Sequence, residues 1–182
     1  MRYPFSILIV IFSLSALRGY AQASKSSADN GSDTTIALSS GTCKIKVQLF
    51  NPHSEDPDEN NATISLINKK GKVLFADSLH MGRLDFWMED FNGDGVKDIV
   101  LHRHMLASRS NMTYNLYLVS KDGQSLRRVI GFDDVLNPTF DSKKSRIKSN
   151  YLYGPYMGWS YYKIDKTGRL RKVSRNYKER VK

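Results

Sequence analysis

The residues whose types and spacing most clearly imply chemistry lie in one short acidic stretch, residues 90–98. Oxygen-bearing side chains stand in it at Asp90, Asn92, Asp94 and Asp98. Gly95 occupies the sixth place and the backbone carbonyl of Val96 the seventh, which is the ligand spacing of a Ca²⁺ loop. A hard divalent cation needs about six to eight oxygens, so its ligands must recur along a tightly coiled backbone. The sequence therefore predicts a Ca²⁺ site made by Asp90, Asn92, Asp94, Val96 and Asp98.

The segments on both sides of this stretch are predicted to be strands. Apolar residues alternate before it at Leu84, Phe86 and Met88, and the β-favouring run 99–101 follows it. An EF-hand would need flanking helices and a glutamate at the twelfth place, where this chain has Leu101. The order of strand, loop and strand resembles the calcium loops of FG-GAP and VCBS-type repeats.

The N-terminal residues 1–23 are predicted to be a signal peptide. Residues 5–17 form an apolar run of suitable length, and Ala21 and Ala23 supply small residues at the cleavage spacing. We expect cleavage after Ala23, an exported protein in the periplasm or outside the cell, and no stable membrane span after cleavage. An uncleaved N-terminal anchor is the alternative. Residues 24–42 are rich in Ser, Asp, Asn, Gly and Thr, and we interpret them as a flexible leader.

From residue 43 onward the apolar residues follow a period of two, which is typical of strands. Three segments, 64–74, 116–129 and 161–173, each combine two alternating strands with a polar turn that ends in glycine, and so predict hairpins. Beyond the signal, only short turns near 133–137 are expected to be helical. The sequence predicts an all-β fold, with a single antiparallel domain over 43–177 of about ten short strands, as a sandwich or a propeller-like sheet.

The single cysteine, Cys43, excludes an internal disulfide. We interpret it as a small buried group at the start of a strand.

Charge is distributed unevenly along the chain. Residues 24–142 carry 13 basic and 16 acidic side chains, whereas residues 143–182 carry 13 basic and 2 acidic ones. A basic patch is typical of nucleic-acid binding, but an export signal argues against that partner. We therefore expect no nucleic acid and, instead, an acidic envelope surface or an acidic protein. The alternative is a basic face that serves solubility and ends in a basic tail, residues 178–182.

An aromatic stretch near the C-terminus is the candidate partner-binding surface. Glycines and a proline within it predict a loop, and rigid aromatic side chains on a loop commonly form recognition surfaces. Tyr162 is expected in the core, whereas Tyr153 and Tyr156 are expected to be exposed. The candidate partner-binding residues are Tyr151, Tyr153, Gly154, Tyr156 and Trp159.

The remaining residues favour binding over catalysis. His102 and His104 lie two apart on a strand and could bind a transition metal, but no third ligand has a matching spacing, so we interpret them as an ordinary polar strand face. The chain has no Gly-x-Ser-x-Gly elbow, His-Glu-x-x-His helix or phosphate-binding glycine loop. We expect a protein that is not an enzyme; a calcium-dependent enzyme is the alternative.

The order of these features resembles the calcium-binding periplasmic immunity proteins of Xanthomonas type IV secretion, whose β fold is similar to that of the PliI inhibitors of invertebrate-type lysozyme. The resemblance rests on the acidic loop, the Phe140-Asp141 step, the aromatic stretch and the closing hairpin 162–170. It implies that bound Ca²⁺ holds the fold and that the loop 151–159 enters the cleft of a peptidoglycan hydrolase. The alternative is an FG-GAP/VCBS-type adhesion or glycan-binding module of the cell envelope, whose partner is a glycan or another envelope protein.

Overall fold

The computed structural model of the chain describes residues 23–28, 31–54, 56–106 and 110–181. These residues contain fourteen strands and, as their only helical segment, one 3-10 turn at Phe132–Asp134. The prediction of an all-β fold is therefore confirmed. No helix in these ranges is long and apolar enough to cross a membrane. The predicted signal peptide lies outside the described residues, apart from Ala23.

The strands form three antiparallel sheets in which neighbours in sequence pair with one another, with β14 as the exception. The first sheet contains β1 (Ala23–Ala28), β2 (Gly31–Ala37), β3 (Cys43–Leu49), β4 (Ala62–Asn68) and β5 (Val73–Leu79). The middle sheet contains β6 (Phe86–Glu89), β7 (Asp98–Met105), β8 (Met112–Val119) and β9 (Leu126–Arg128). The third sheet contains β10 (Thr139–Asp141), β11 (Arg146–Tyr153), β12 (Tyr156–Ile164), β13 (Leu170–Lys172) and β14 (Tyr177–Arg180), with β14 paired to β12.

The middle sheet is buried on both of its faces. Ile99 and Leu101 on β7 pack into the cluster that the first sheet lines, which we call the first core. Val100, between them, packs into a cluster with residues of the third sheet, which we call the second core. Because successive side chains of a strand point to opposite faces, a strand buried on both sides needs an uninterrupted apolar run. Residues 99–101 form such a run. The middle sheet therefore packs against the first sheet on one face and against the third sheet on the other.

The three predicted hairpins are present. The segments 64–74, 116–129 and 161–173 correspond to the pairs β4–β5, β8–β9 and β12–β13. Cys43 begins β3 and is buried, as expected. Each of these predictions depends on local alternation and a local turn, which the sequence alone contains.

The prediction of a flexible leader over residues 24–42 is wrong. This segment contains β1 and β2, and β2 pairs with β3 along its whole length. Ile36 on β2 is fully buried in the first core, and Leu38 lies beside it. The polar composition of the segment concealed the alternation of Thr34, Ile36 and Leu38, which is a strand pattern.

The predicted basic tail is also a strand. Residues Tyr177–Arg180 form β14 and pair with β12, and the Val181 amide donates to the Pro155 carbonyl at 2.8 Å. Without β14, the backbone groups on this part of the edge of β12 would be unpaired. A short basic segment can pair with them without burying its charges. The domain therefore extends on both sides beyond the expected range 43–177.

A polar network joins the first and middle sheets beside the first core. The buried Tyr117 hydroxyl donates to the Asp77 carboxylate at 2.8 Å, which also pairs with Arg128 at 3.5 Å. Burial, together with the Asp77 charge, raises the pKa of Tyr117, so this hydroxyl keeps its proton. Arg128 donates in turn to the Asn115 side-chain oxygen at 3.1 Å. These bonds satisfy polar groups that would otherwise be costly to bury.

Replacing Ile36 by alanine tests whether β2 belongs to the folded domain. Ile36→Ala removes a fully buried side chain and should lower the free energy of unfolding by about 2–5 kcal/mol. The control is Val73→Ala, because Val73 is half-exposed on β5 of the same sheet. Urea denaturation followed by tryptophan fluorescence measures both changes. Equal midpoints for Ile36→Ala and the unmodified protein would contradict the placement of β2.

Candidate functional site

The acidic loop connects β6 to β7 in the middle sheet and is fixed by apolar contacts on both sides. Phe91 is buried in the second core, where its ring meets Phe132 edge to face at 5.6 Å between centroids. Val96 is partly buried against the first core. The loop backbone is thus fixed by two cores at once, which limits the positions that its polar side chains can take.

The oxygens of Asp90, Asn92 and Asp94 organise the loop by accepting hydrogen bonds from its backbone. Asp90 accepts from the amides of Gly93 at 2.6 Å and Gly95 at 2.8 Å. Asn92 Oδ1 accepts from the Asp94 amide, and Asp94 Oδ1 accepts from the Val96 amide, both at 2.8 Å. Gly93 and Gly95 have φ values of +77° and +88°, which other residues rarely adopt. The two glycines therefore allow the backbone to coil around these side chains.

Asp98 has a different position, because its carboxylate is buried. Asp98 Oδ2 accepts from the Phe91 amide at 2.9 Å, and Oδ1 accepts from the Val119 amide at 3.0 Å. Burial raises the pKa of this carboxyl to about 7 against the effect of these two bonds, and the nearby Asp94 and Asp90 carboxylates raise it further. Asp98 therefore joins the beginning of the loop to the end of β8.

The types of ligand atom in the loop suit Ca²⁺, but the placement of its side chains does not yet form a site for the ion. Its candidate ligands are all oxygens, three of the side chains are carboxylates, and hard cations prefer such ligands. Among the described residues, however, no three His, Cys, Asp or Glu side chains are placed to hold one metal ion. The side-chain oxygens of Asp90, Asn92, Asp94 and Asp98 instead accept bonds from backbone amides. A cation in this loop would have to draw the carboxylates toward itself.

The prediction of a loop for the aromatic stretch is wrong, because residues 151–159 belong to a tight hairpin. β11 and β12 pair in register up to Tyr153 opposite Tyr156, and only Gly154 and Pro155 lie between them. Gly154 has a φ of +55°, which permits the two-residue turn. Gly154 and Pro155 do form a turn, as the sequence predicts. The tyrosines beside them have a high β propensity, so both strands extend up to this turn.

The hairpin tip is the most exposed apolar surface of the third sheet. Tyr153 is 79% exposed, and Tyr156 is 38% exposed. Leu152 and Met157, which pair across the hairpin, are exposed to a similar extent as Tyr156. We call these four residues the hairpin tip. Tyr162, in contrast, packs against the second core, as expected.

Tyr151 and Trp159 are not part of the hairpin tip. The Tyr151 ring lies directly over Gly158, where a Cβ atom would collide with it. Trp159 is half-buried and stacks on Tyr177 with ring centroids 5.7 Å apart and an interplanar angle of 12°. The structure thus divides the five candidate residues between the tip and the body of the sheet.

The outward side of the third sheet carries an aromatic face that the sequence did not reveal. It consists of Trp159, Tyr161 and Tyr177, together with the cations Arg146 and Lys148. The Arg146 guanidinium lies 3.4 Å from the Tyr161 ring centroid, and the Lys148 ammonium lies 5.5 Å from that of Trp159. Alternation along β12 could have paired Trp159 with Tyr161, but Tyr177 joins them only because β14 is a strand.

Replacing Asp98 separates its structural part from any part in ion binding. Asp98→Ala leaves the amides of Phe91 and Val119 without their acceptor, so we expect a loss of about 2 kcal/mol or more of unfolding free energy in chelator. Asp94→Ala is the control, because Asp94 bonds only within the half-exposed loop. Urea denaturation in metal-free buffer measures both. Equal losses would contradict the structural assignment of Asp98.

The chain was compared with known proteins at three levels. No protein-family model, curated protein or solved structure matches it significantly.

Proposed function

We propose that this chain is an exported, non-enzymatic binding protein that inhibits a peptidoglycan hydrolase, as an inhibitor or immunity protein. The observation that carries the proposal is the exposure of the hairpin tip, where Tyr153 presents 79% of its surface to solvent. Aromatic side chains that bury in a partner's pocket supply much of the binding energy of protein interfaces. An exposed hairpin turn of this kind suits a concave partner such as a substrate cleft.

The hairpin tip is held in place before any partner binds. Asn111, which is almost fully buried, donates to the Leu152 carbonyl and accepts from the Leu152 amide, both at 2.9 Å. On the other strand, the Pro155 carbonyl accepts from the Val181 amide. Because a preorganised segment loses little conformational entropy on binding, these supports favour tight association.

Ca²⁺ in the acidic loop is the second part of the proposal. The loop concentrates three carboxylates within nine residues, and one of them, Asp98, is buried. A bound divalent cation supplies the positive charge that offsets their mutual repulsion. Asp90, Asn92, Asp94, Asp98 and the Val96 carbonyl would hold it. Its role would be to stabilise the middle sheet, while the hairpin tip contacts the partner.

An FG-GAP/VCBS-type adhesion or glycan-binding module is the second candidate function. The aromatic face favours it, because its half-buried rings present part of their surface to solvent and can pack against the apolar faces of sugar rings, and Lys148 can pair with acidic sugars. This function would use Trp159 and Tyr177 rather than Tyr153. The two candidates therefore make different residues essential.

Calcium should stabilise the protein if the acidic loop binds it. At a Ca²⁺ concentration about a hundredfold above the dissociation constant, we expect a gain of about 2.7 kcal/mol in unfolding free energy. Asp94→Ala should remove most of this gain, whereas Asp122→Ala, in the exposed turn between β8 and β9, should keep it. Thermal denaturation in Ca²⁺ and in chelator provides the measurement. A gain of the same size in Asp94→Ala would place the ion elsewhere.

The hairpin tip should be essential for inhibition. We expect the double substitution Tyr153→Ala and Tyr156→Ala to abolish inhibition of the hydrolase that the protein captures from envelope extract, with little change in melting temperature because both rings are exposed. Phe50→Ala is the matched control, since Phe50 is an exposed aromatic residue outside the tip. Lysis of peptidoglycan by the captured enzyme, measured with each variant, is the readout.

Two measurements distinguish the two functions: inhibition of the captured hydrolase and retention of the protein on insoluble peptidoglycan. Full inhibition by the double variant would reject the tip as the inhibitory surface. Retention of the protein on insoluble peptidoglycan, lost in Trp159→Ala and accompanied by no effect on any hydrolase, would support the glycan-binding module.

A further inference from the structure

All four histidines of the chain line a single pocket. His53 follows β3, His80 follows β5, and His102 and His104 lie on β7, yet all four border one space of about 530 Å³. His102 and His104, which the sequence analysis assigned to an ordinary polar strand face, both border this pocket, and His102 is buried. A register shift between these two residues in the pairing with β8 changes the regular spacing of the strand at this point. The end of the first sheet and the middle sheet together build the pocket.

Two of these imidazoles are buried without satisfying their ring nitrogens. His80 and His102 are each only 4% exposed. Neither His80 Nε2 nor either ring nitrogen of His102 has a hydrogen-bond partner among the described residues. Buried polar atoms without protein partners are rare and costly, so these nitrogens can gain a partner from a ligand or from water in the pocket.

His80 is held in the orientation that histidine ligands of metals commonly have. Its Nδ1 lies 3.0 Å from the Glu59 carbonyl, to which it can donate, and this leaves a lone pair on Nε2. Asn115 donates to the His80 carbonyl at 3.0 Å. The next residue, Met81, is bonded through both its amide and its carbonyl to the side chain of Asn61. Because its backbone and one ring nitrogen are already held, His80 loses little conformational entropy when its other ring nitrogen binds a ligand.

We infer that this pocket binds a transition-metal ion such as Zn²⁺, Ni²⁺ or Cu²⁺ through His80 and His104. Their ring centroids are 6.2 Å apart. A metal–nitrogen bond of about 2.1 Å places a ring centroid about 3.2 Å from the ion, so two ligand rings lie about 5.2 Å apart at the tetrahedral angle and about 6.4 Å apart on opposite sides of the ion. The observed separation therefore corresponds to two nearly opposite ligands, as in a square-planar or octahedral site. Neutral imidazoles suit these metals, whereas they are poor ligands for Ca²⁺. The site is thus chemically distinct from the acidic loop.

Water completes the coordination of this two-histidine site. No third His, Cys, Asp or Glu side chain is placed to ligate the same ion within the described part of the chain. Water ligands can donate hydrogen bonds to His102, which satisfies a nitrogen that now has no partner. Arg83 also borders the pocket, and its pairing with Asp85 at 2.8 Å offsets part of its charge.

Equilibrium dialysis of the protein, prepared without a polyhistidine tag, against Zn²⁺, Ni²⁺ or Cu²⁺ tests this inference. We expect about one equivalent of at least one of these metals to be retained in the presence of excess Ca²⁺. His80→Phe and His104→Phe should each weaken retention about tenfold or more, because each keeps an aromatic ring but removes a ligand. Asp94→Ala, in the acidic loop, should retain the metal unchanged.

A second measurement avoids substitutions that could disturb folding. Two-dimensional ¹H–¹⁵N spectra of the imidazole rings resolve only four histidines, and Zn²⁺ should shift the ring nitrogens of His80 and His104 in the unmodified protein. Absence of retained metal, or equal retention by His80→Phe, overturns the inference. Ring spectra that stay the same on addition of Zn²⁺ overturn it as well. Neither result bears on the proposed inhibition, which depends on the hairpin tip.

Discussion

Both faces of the middle sheet are buried, one against the first sheet and the other against the third. Because of this burial, β7 and β8 carry apolar side chains on both faces. Any polar side chain on them must form its hydrogen bonds within the protein. Asp98 and Asn115 meet that condition, since the carboxylate accepts from two backbone amides and Asn115 bonds to His80 and Arg128. The position of each candidate site follows from how it is attached to this sheet.

The acidic loop has little freedom because it enters and leaves the middle sheet. Phe91 fixes its beginning in the second core, and Asp98 fixes its end to β8. A binding event that moves the loop carboxylates would therefore be transmitted to the core rather than absorbed by a flexible segment. This is why the proposed function gives the loop a stabilising role and assigns partner contact to the hairpin tip.

The third sheet differs from the other two in how its faces are used. Its inner face closes the second core through Ile147, whereas its outer face and its hairpin remain accessible. Tyr153 and Tyr156 are exposed at the hairpin, whereas Trp159 and Tyr177 on the outer face are half-buried and stack on each other. The histidine pocket has a different character, because it lies at the ends of strands of the other two sheets and contains the buried ring nitrogens of His80 and His102.

The sequence by itself determined the strands and turns whose signals are local. Alternation in β3, β6 and β8, the apolar run of β7, the three glycine turns and the position of the acidic loop between two strands were predicted correctly, because these signals need no distant partner. Composition was misleading for β2 and β14, whose strand character depends on the neighbouring strand that offers backbone hydrogen bonds. Only the tertiary structure decided that Asp98 is buried, that Tyr177 joins Trp159, and that His80 meets His104. These contacts join residues far apart in the chain, and the packing that creates them arises from the stacking of whole sheets, which no local pattern encodes.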